Sequence, residues 1–156
     1  MNAYTQLLYY IKSLGEADVF INTVAKDAED KMDLYKGIIY PLLDIVVGET
    51  ATFPSTSLVQ YSVTLYCLAQ RDSNNELVDD KFWKNDNESD NLNETMASLS
   101  RIWVSMNRGF EDSDIIASDT PVINKITGAY NNTLDGWSME FTVTMPMMVN
   151  LCQDGC

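Results

Sequence analysis

The chain has 156 residues, 46% of them apolar, which is enough for one domain with a substantial core. Its 23 acidic against 10 basic residues give a formal charge of −13. That balance disfavours nucleic-acid binding through a basic patch, whose affinity comes from Lys and Arg displacing counterions from phosphates, and the absence of histidine excludes Ser-His-Asp and Cys-His catalysis.

Taken from the N-terminus, Tyr4, Leu7, Leu8, Ile11 and Leu14 follow the 3.6-residue period and predict a short amphipathic helix, with Gly15 placed as its C-terminal cap. Residues 19–24 are a candidate strand, and the charged stretch 26–31 reads as a turn. Residues 38–47 predict a buried strand, with Pro41 at an edge or before the regular part and Gly48 ending it. Its apolar run is broken by Pro41 and Asp44 and falls short of the roughly 20 residues of a membrane-spanning helix. Residues 49–57, with Pro54 inside, then read as a hairpin connection to a long strand over 58–71. There Val59, Tyr61, Val63, Leu65, Cys67 and Ala69 share one face, opposed by Gln60, Ser62, Thr64 and Gln70. The two strands are expected to pair antiparallel.

Residues 72–91 form a polar inserted loop interrupted by Phe82 and Trp83, which either pin the loop to the core or present a patch to a neighbouring subunit. The strongest helix follows over about 92–108, with Leu92, Met96, Leu99, Trp103, Met106 and Phe110 on its stripe, widened by Ile102. Asn91 with Glu94 resembles a capping arrangement, and Gly109 marks the end. Beyond Pro121, residues 122–129 predict a strand and Asp135-Gly136 a tight turn. In the last strand Trp137, Met139, Phe141, Val143 and Met145 alternate with Ser138, Glu140, Thr142 and Thr144, the pattern of a half-buried strand. The order of elements gives a single α+β domain over 1–156, a mainly antiparallel sheet packed against two helices, with 153–156 a short C-terminal tail.

Chemical motifs are sparse. Cys67 lies on an apolar strand face and reads as a core residue; Cys152 and Cys156 could pair, with a reduced state expected in a cytosolic chain. The first six residues lack the basic region and apolar core of a secretory signal, so a cytosolic site of synthesis is the expectation. The acidic clusters Asp79-Asp80 and 86–90 lack the glycine and terminal glutamate of an EF-hand and read as solvated surface, so no metal or other cofactor is expected. Three Asn-x-Ser/Thr matches, at Asn87, Asn93 and Asn131, fall in an Asn-rich chain and are read as chance. The excess of acid either keeps the surface soluble or forms a wall that repels phosphates.

The strand around 39–45, the long strand ending Ala69-Gln70-Arg71-Asp72, the helix after an Asn/Asp-rich loop and the ending 134–146 together resemble the tail-terminator and tail-completion, or neck, proteins of tailed bacteriophages. The likeness runs from about residue 4 to 152. It implies a non-enzymatic α+β subunit that joins copies of itself into a ring of six or twelve at the head-tail junction or the top of the tail. It further implies contacts with connector and tail proteins, passage of DNA through an acidic channel without specific binding, no membrane partner, and a place in the virion after assembly in the bacterial cytoplasm. Ring closure needs two different patches per subunit, and 26–36, 49–57 and 73–91 with Phe82 and Trp83 are the candidates. An alternative is a cytosolic small-ligand-binding or adaptor domain with a pocket lined by Tyr61, Tyr66 and Trp103.

Overall fold

The computed structural model describes residues 2–28, 39–72, 82, 87–110, 115–118, 120–130 and 133–147. Two helices and six strands follow one another as α1 (Ala3–Ala17), β1 (Thr23–Lys26), β2 (Leu42–Ser55), β3 (Leu58–Gln70), α2 (Glu88–Phe110), β4 (Ile116–Ala117), β5 (Val122–Ala129) and β6 (Leu134–Pro146). One sheet holds all the strands in the order β1-β2-β3-β6, with β4 and β5 both pairing the far side of β6. Only β1 and β2 run parallel; the other pairings are antiparallel. The fold class is thus the α+β arrangement expected from the sequence.

The alternating patterns decide where the core sits. The register sets Val59 opposite Met145, Val63 opposite Phe141, Leu65 opposite Met139 and Cys67 opposite Trp137, so the apolar faces of β3 and β6 form one surface. Leu43 and Ile45 extend it onto β2. Helix α1 covers it with Ala3, Leu7 and Ile11, and α2 with Leu99, Ile102, Met106 and Phe110. A smaller cluster on the other face gathers Ala28, Tyr40, Leu42, Leu68 and Leu134 at one end of the sheet.

Several expected boundaries move, each for a physical reason. Gly15 is not a cap but lies inside α1, where an added Cβ would sit 2.7 Å from Leu43 and 2.9 Å from Val24; glycine lets the helix approach the sheet. Helix α1 ends instead at Asp18, whose N–H donates to the Gly15 carbonyl, and begins at Asn2, whose side chain accepts from the Thr5 N–H at 2.9 Å. The strand expected at 19–24 is displaced to β1, and Val19 is almost fully exposed.

Gly48 does not end β2. The strand continues through a bulge between Val47 and Ala51 to Ser55, so 49–55 is strand and only residues 56 and 57 turn. Helix α2 starts at Glu88, four residues ahead of the expected start, which shortens the loop expected over 72–91. Asn91 lies inside the helix, its amide donating to the Gln70 carbonyl at 3.1 Å, and Glu88 and Asp90 supply the acidic first turn that suits the helix dipole. Gly109 is also helical and passes beneath Tyr10, whose hydroxyl lies 2.0 Å from where a Cβ would be.

Asp135-Gly136 belongs to β6 rather than to a turn. The chain reverses earlier, through Tyr130 and Thr133 in the left-handed region. Gly136 is required because an added Cβ would lie 1.8 Å from the Cys67 carbonyl oxygen, a backbone atom fixed in the neighbouring strand. Gly136→Ala is therefore expected to destabilise the domain by at least about 2 kcal/mol, measured as a lower urea midpoint with an unchanged slope.

Candidate subunit interface

The carboxylates that the fold buries are held by structural partners. Asp135, fully buried, accepts from Arg71 Nε at 2.9 Å and Nη2 at 2.6 Å and from the Gly128 N–H at 2.9 Å, which ties the chain leaving β3 to the last residues of β5 and the start of β6. Both oxygens of buried Asp44 accept the Ala28 N–H, at 3.0 and 3.2 Å. Asp18, following α1, joins the two helices: it accepts from Arg101 at 2.6 and 3.1 Å, Ser98 at 2.9 Å and the Phe20 N–H at 3.1 Å. Burial opposes the Asp18 charge. The hydrogen bonds from Arg101, Ser98 and the Phe20 amide, together with the Arg101 charge, outweigh it and hold the carboxyl below its ordinary value.

Among the described residues no three His, Cys, Asp or Glu side chains come together as a metal site. Asp79, Asp80 and Asp86 lie outside the described residues, as do Cys152 and Cys156. Glu88 and Asp90 stand in the first turn of α2. Cys67 is fully buried in the core, and burial pushes its thiol far above the ordinary range, which leaves it unreactive.

The surface has more to offer. Phe82 is 78% exposed, while Trp83 lies outside the described residues. Tyr61, Tyr66 and Trp103 do not form the expected pocket. Strand alternation sends Tyr61 to the helix side, edge-on to Tyr4 at 6.0 Å, and Tyr66 to the opposite face, while Trp103 packs edge-on against Phe141 at 5.3 Å. A groove of about 360 Å³ opens instead between α1 and β1, lined by Tyr4, Leu8, Tyr9, Val24 and Ile45 with Lys12 and Lys26. Beside it, and sharing Tyr4, a second cleft of about 250 Å³ contains Phe53, Val59, Tyr61 and Met147. Neither groove was visible in the sequence, because each brings α1 against strands whose positions are set by pairing within the sheet.

Both helices pack on one face of the sheet. On the other, beyond the small cluster, Gln60, Ser62 and Thr64 of β3 lie opposite Thr144, Thr142 and Glu140 of β6. Gln60 links neighbouring strands there, hydrogen-bonded to Thr52 at 3.3 Å and donating to Thr144 at 3.2 Å. Among the described residues no helix covers this hydroxyl- and amide-lined face, and it carries one exposed carboxylate, Glu140, and no Lys or Arg. At the sheet margin β5 pairs, among the described residues, only with β6, which leaves Val122 55% and Ile123 39% exposed.

None of the described helices is long and apolar enough to cross a membrane. No protein-family model matches the chain, and no curated protein matches it either.

The ion pairs give two testable consequences. Because the folded-state pKa of Asp18 is lowered, its contribution to stability is present above the unfolded carboxyl value and is lost as pH falls through the folded one. Asp18→Asn should flatten the acid side of the stability profile below about pH 4, read by urea unfolding at stepped pH. Arg71→Met leaves buried Asp135 without its cation and should cost about 3 kcal/mol or more, measured by urea unfolding at neutral pH.

Proposed function

We propose that this chain is a non-enzymatic structural subunit of a tailed-phage virion, of the tail-terminator or tail-completion kind. In this reading it assembles as a homo-oligomeric ring of six or twelve copies at the head-tail junction or the top of the tail, between connector and tail proteins. The observation that carries the proposal is the one-sided cover of the sheet. Helices α1 and α2 cover one face of the mainly antiparallel sheet, and among the described residues the other face stays open to water and presents hydroxyls, amides and the carboxylate of Glu140.

Turned toward a ring axis, that face suits the passage of DNA. Among the described residues it offers no cation to hold phosphates, and the acidity of the whole chain keeps them from settling elsewhere. Function in this reading comes from shape and charge, with no reacting group, cofactor or metal. The site of action is the virion, after assembly in the host cytoplasm.

A second reading, a small-ligand-binding or adaptor domain, draws on the 360 Å³ groove beside α1. Native mass spectrometry over a concentration series, with electron microscopy of any assembly, separates the two. Closed rings of six or twelve support the structural reading; a persistent monomer stabilised by a small molecule would replace it. Exposed Phe82 provides a finer test. Replacing Phe82 and Trp83 together with Ser should weaken assembly about tenfold or more and leave the circular dichroism spectrum unchanged.

A further inference from the structure

We propose that the stepped edge formed by β1 and β2 is a self-complementary contact surface for a second copy of this chain. In the resulting two-fold pair, the β2 arm of each copy adds to the β1 edge of the other. Strand β1 has four residues and among the described residues pairs only with Leu42 to Ile45, whereas β2 runs on to Ser55. The margin therefore steps inward by one strand, roughly 4.8 Å, where β1 ends. From Gly48 to Ser55 every residue of the arm is exposed. The chain leaving β1 turns to the opposite face, where the Ala28 N–H is held by Asp44 and Ala28 is buried against the smaller cluster.

A step of this shape fits itself when rotated by half a turn about an axis perpendicular to the sheet. The rotation sets β1 of one copy beside the arm of the other and the reverse, as a two-fold interface requires. Because β1 and β2 are parallel within one copy, the pairing between copies is antiparallel. The rotation also keeps the helix-covered faces on the same side. Phe53, 71% exposed and on the helix side of the arm, is thereby brought to the partner's groove between α1 and β1.

Charge selects the same occupant. The groove carries Lys12 and Lys26, Lys12 being engaged only by an exposed contact to Glu16 at 3.5 Å, and Lys26 has no ion pair among the described residues. The arm carries Glu49, exposed and likewise without an ion pair among the described residues. Two copies of a chain with charge −13 repel at long range, so a local match of opposite signs fixes which surfaces may meet. The bulges that bracket Ala51 and Thr52, and Pro54 with no N–H to donate, blunt the arm against indiscriminate strand addition and confine pairing to a short partner such as β1.

This contact does not depend on the ring reading. If rings form with their uncovered faces toward the axis, the two-fold lies along a radius and joins two rings. The test is sedimentation equilibrium of the full chain, with circular dichroism confirming that each variant is folded. Phe53→Ser, Lys26→Glu and Glu49→Lys should each weaken pairing about tenfold or more, and Lys26→Glu combined with Glu49→Lys should restore it. A parent chain that does not pair, single variants that pair as tightly as the parent, or a charge-swapped double that fails to recover would overturn the proposal. Single rings that persist while their pairing is lost in the variants would support both readings; rings whose pairing is unchanged in every variant would overturn this contact and leave the ring reading standing, and pairs without rings would do the reverse.

Discussion

The antiparallel contact between β3 and β6 is the constraint on which the rest of the molecule depends. Its register runs without a break from Leu58 opposite Pro146 to Gln70 opposite Leu134. A slip of one residue would turn Val63, Leu65 and Cys67 outward and bring Ser62, Thr64 and Tyr66 against the helices. Gly136 makes the close approach of the two backbones possible at one end, and the Arg71–Asp135 ion pair binds that same end electrostatically. Helices α1 and α2 then have one fixed surface to cover. They are connected to each other by Asp18 and Arg101, and Tyr10 adds a second link by packing on Phe110 with ring centroids 5.3 Å apart.

Much of this was legible in the sequence because burial imposes a period. The alternation in 58–70 and 137–145 and the 3.6-residue stripe from Leu99 to Phe110 each identify an element and its inward face, and β5 falls where its apolar residues suggested. Boundaries failed where burial stops. The arm from Gly48 to Ser55 is exposed on both faces, so its side chains carry no pattern and the strand is held by the ladder to β3 alone. Glycines misled for a related reason. Gly15, Gly109 and Gly136 resemble caps or turns in one dimension, yet each answers to a neighbour remote in sequence: Leu43, Tyr10 and Cys67 respectively. The candidate interface was the least legible part. Phe82 stands out as an aromatic residue in a polar stretch, whereas the groove and the step arise only when β1 pairs parallel to β2, a contact with no local signature.

In functional terms the molecule divides its two sheet faces unequally. One is an interior of Met, Leu, Val and Phe; the other presents threonine, serine and glutamine in facing rows, with a hydrogen-bonded chain from Thr52 through Gln60 to Thr144. Hydroxyls and amides that are already partnered within the protein have less capacity left to capture a passing ligand. On this face the chain from Thr52 through Gln60 to Thr144 is one such partnered set.

The excursion between β3 and α2 has a consequence of its own. Arg71 and Glu88, at its two ends, pair at 3.2 Å, and the Asp72 N–H donates to the Asn87 side chain at 2.7 Å, so the two ends are fastened to each other. Loop closure depends only weakly on length once the ends are fixed. The intervening stretch can therefore lengthen, shorten or change composition during evolution at little expense to the sheet.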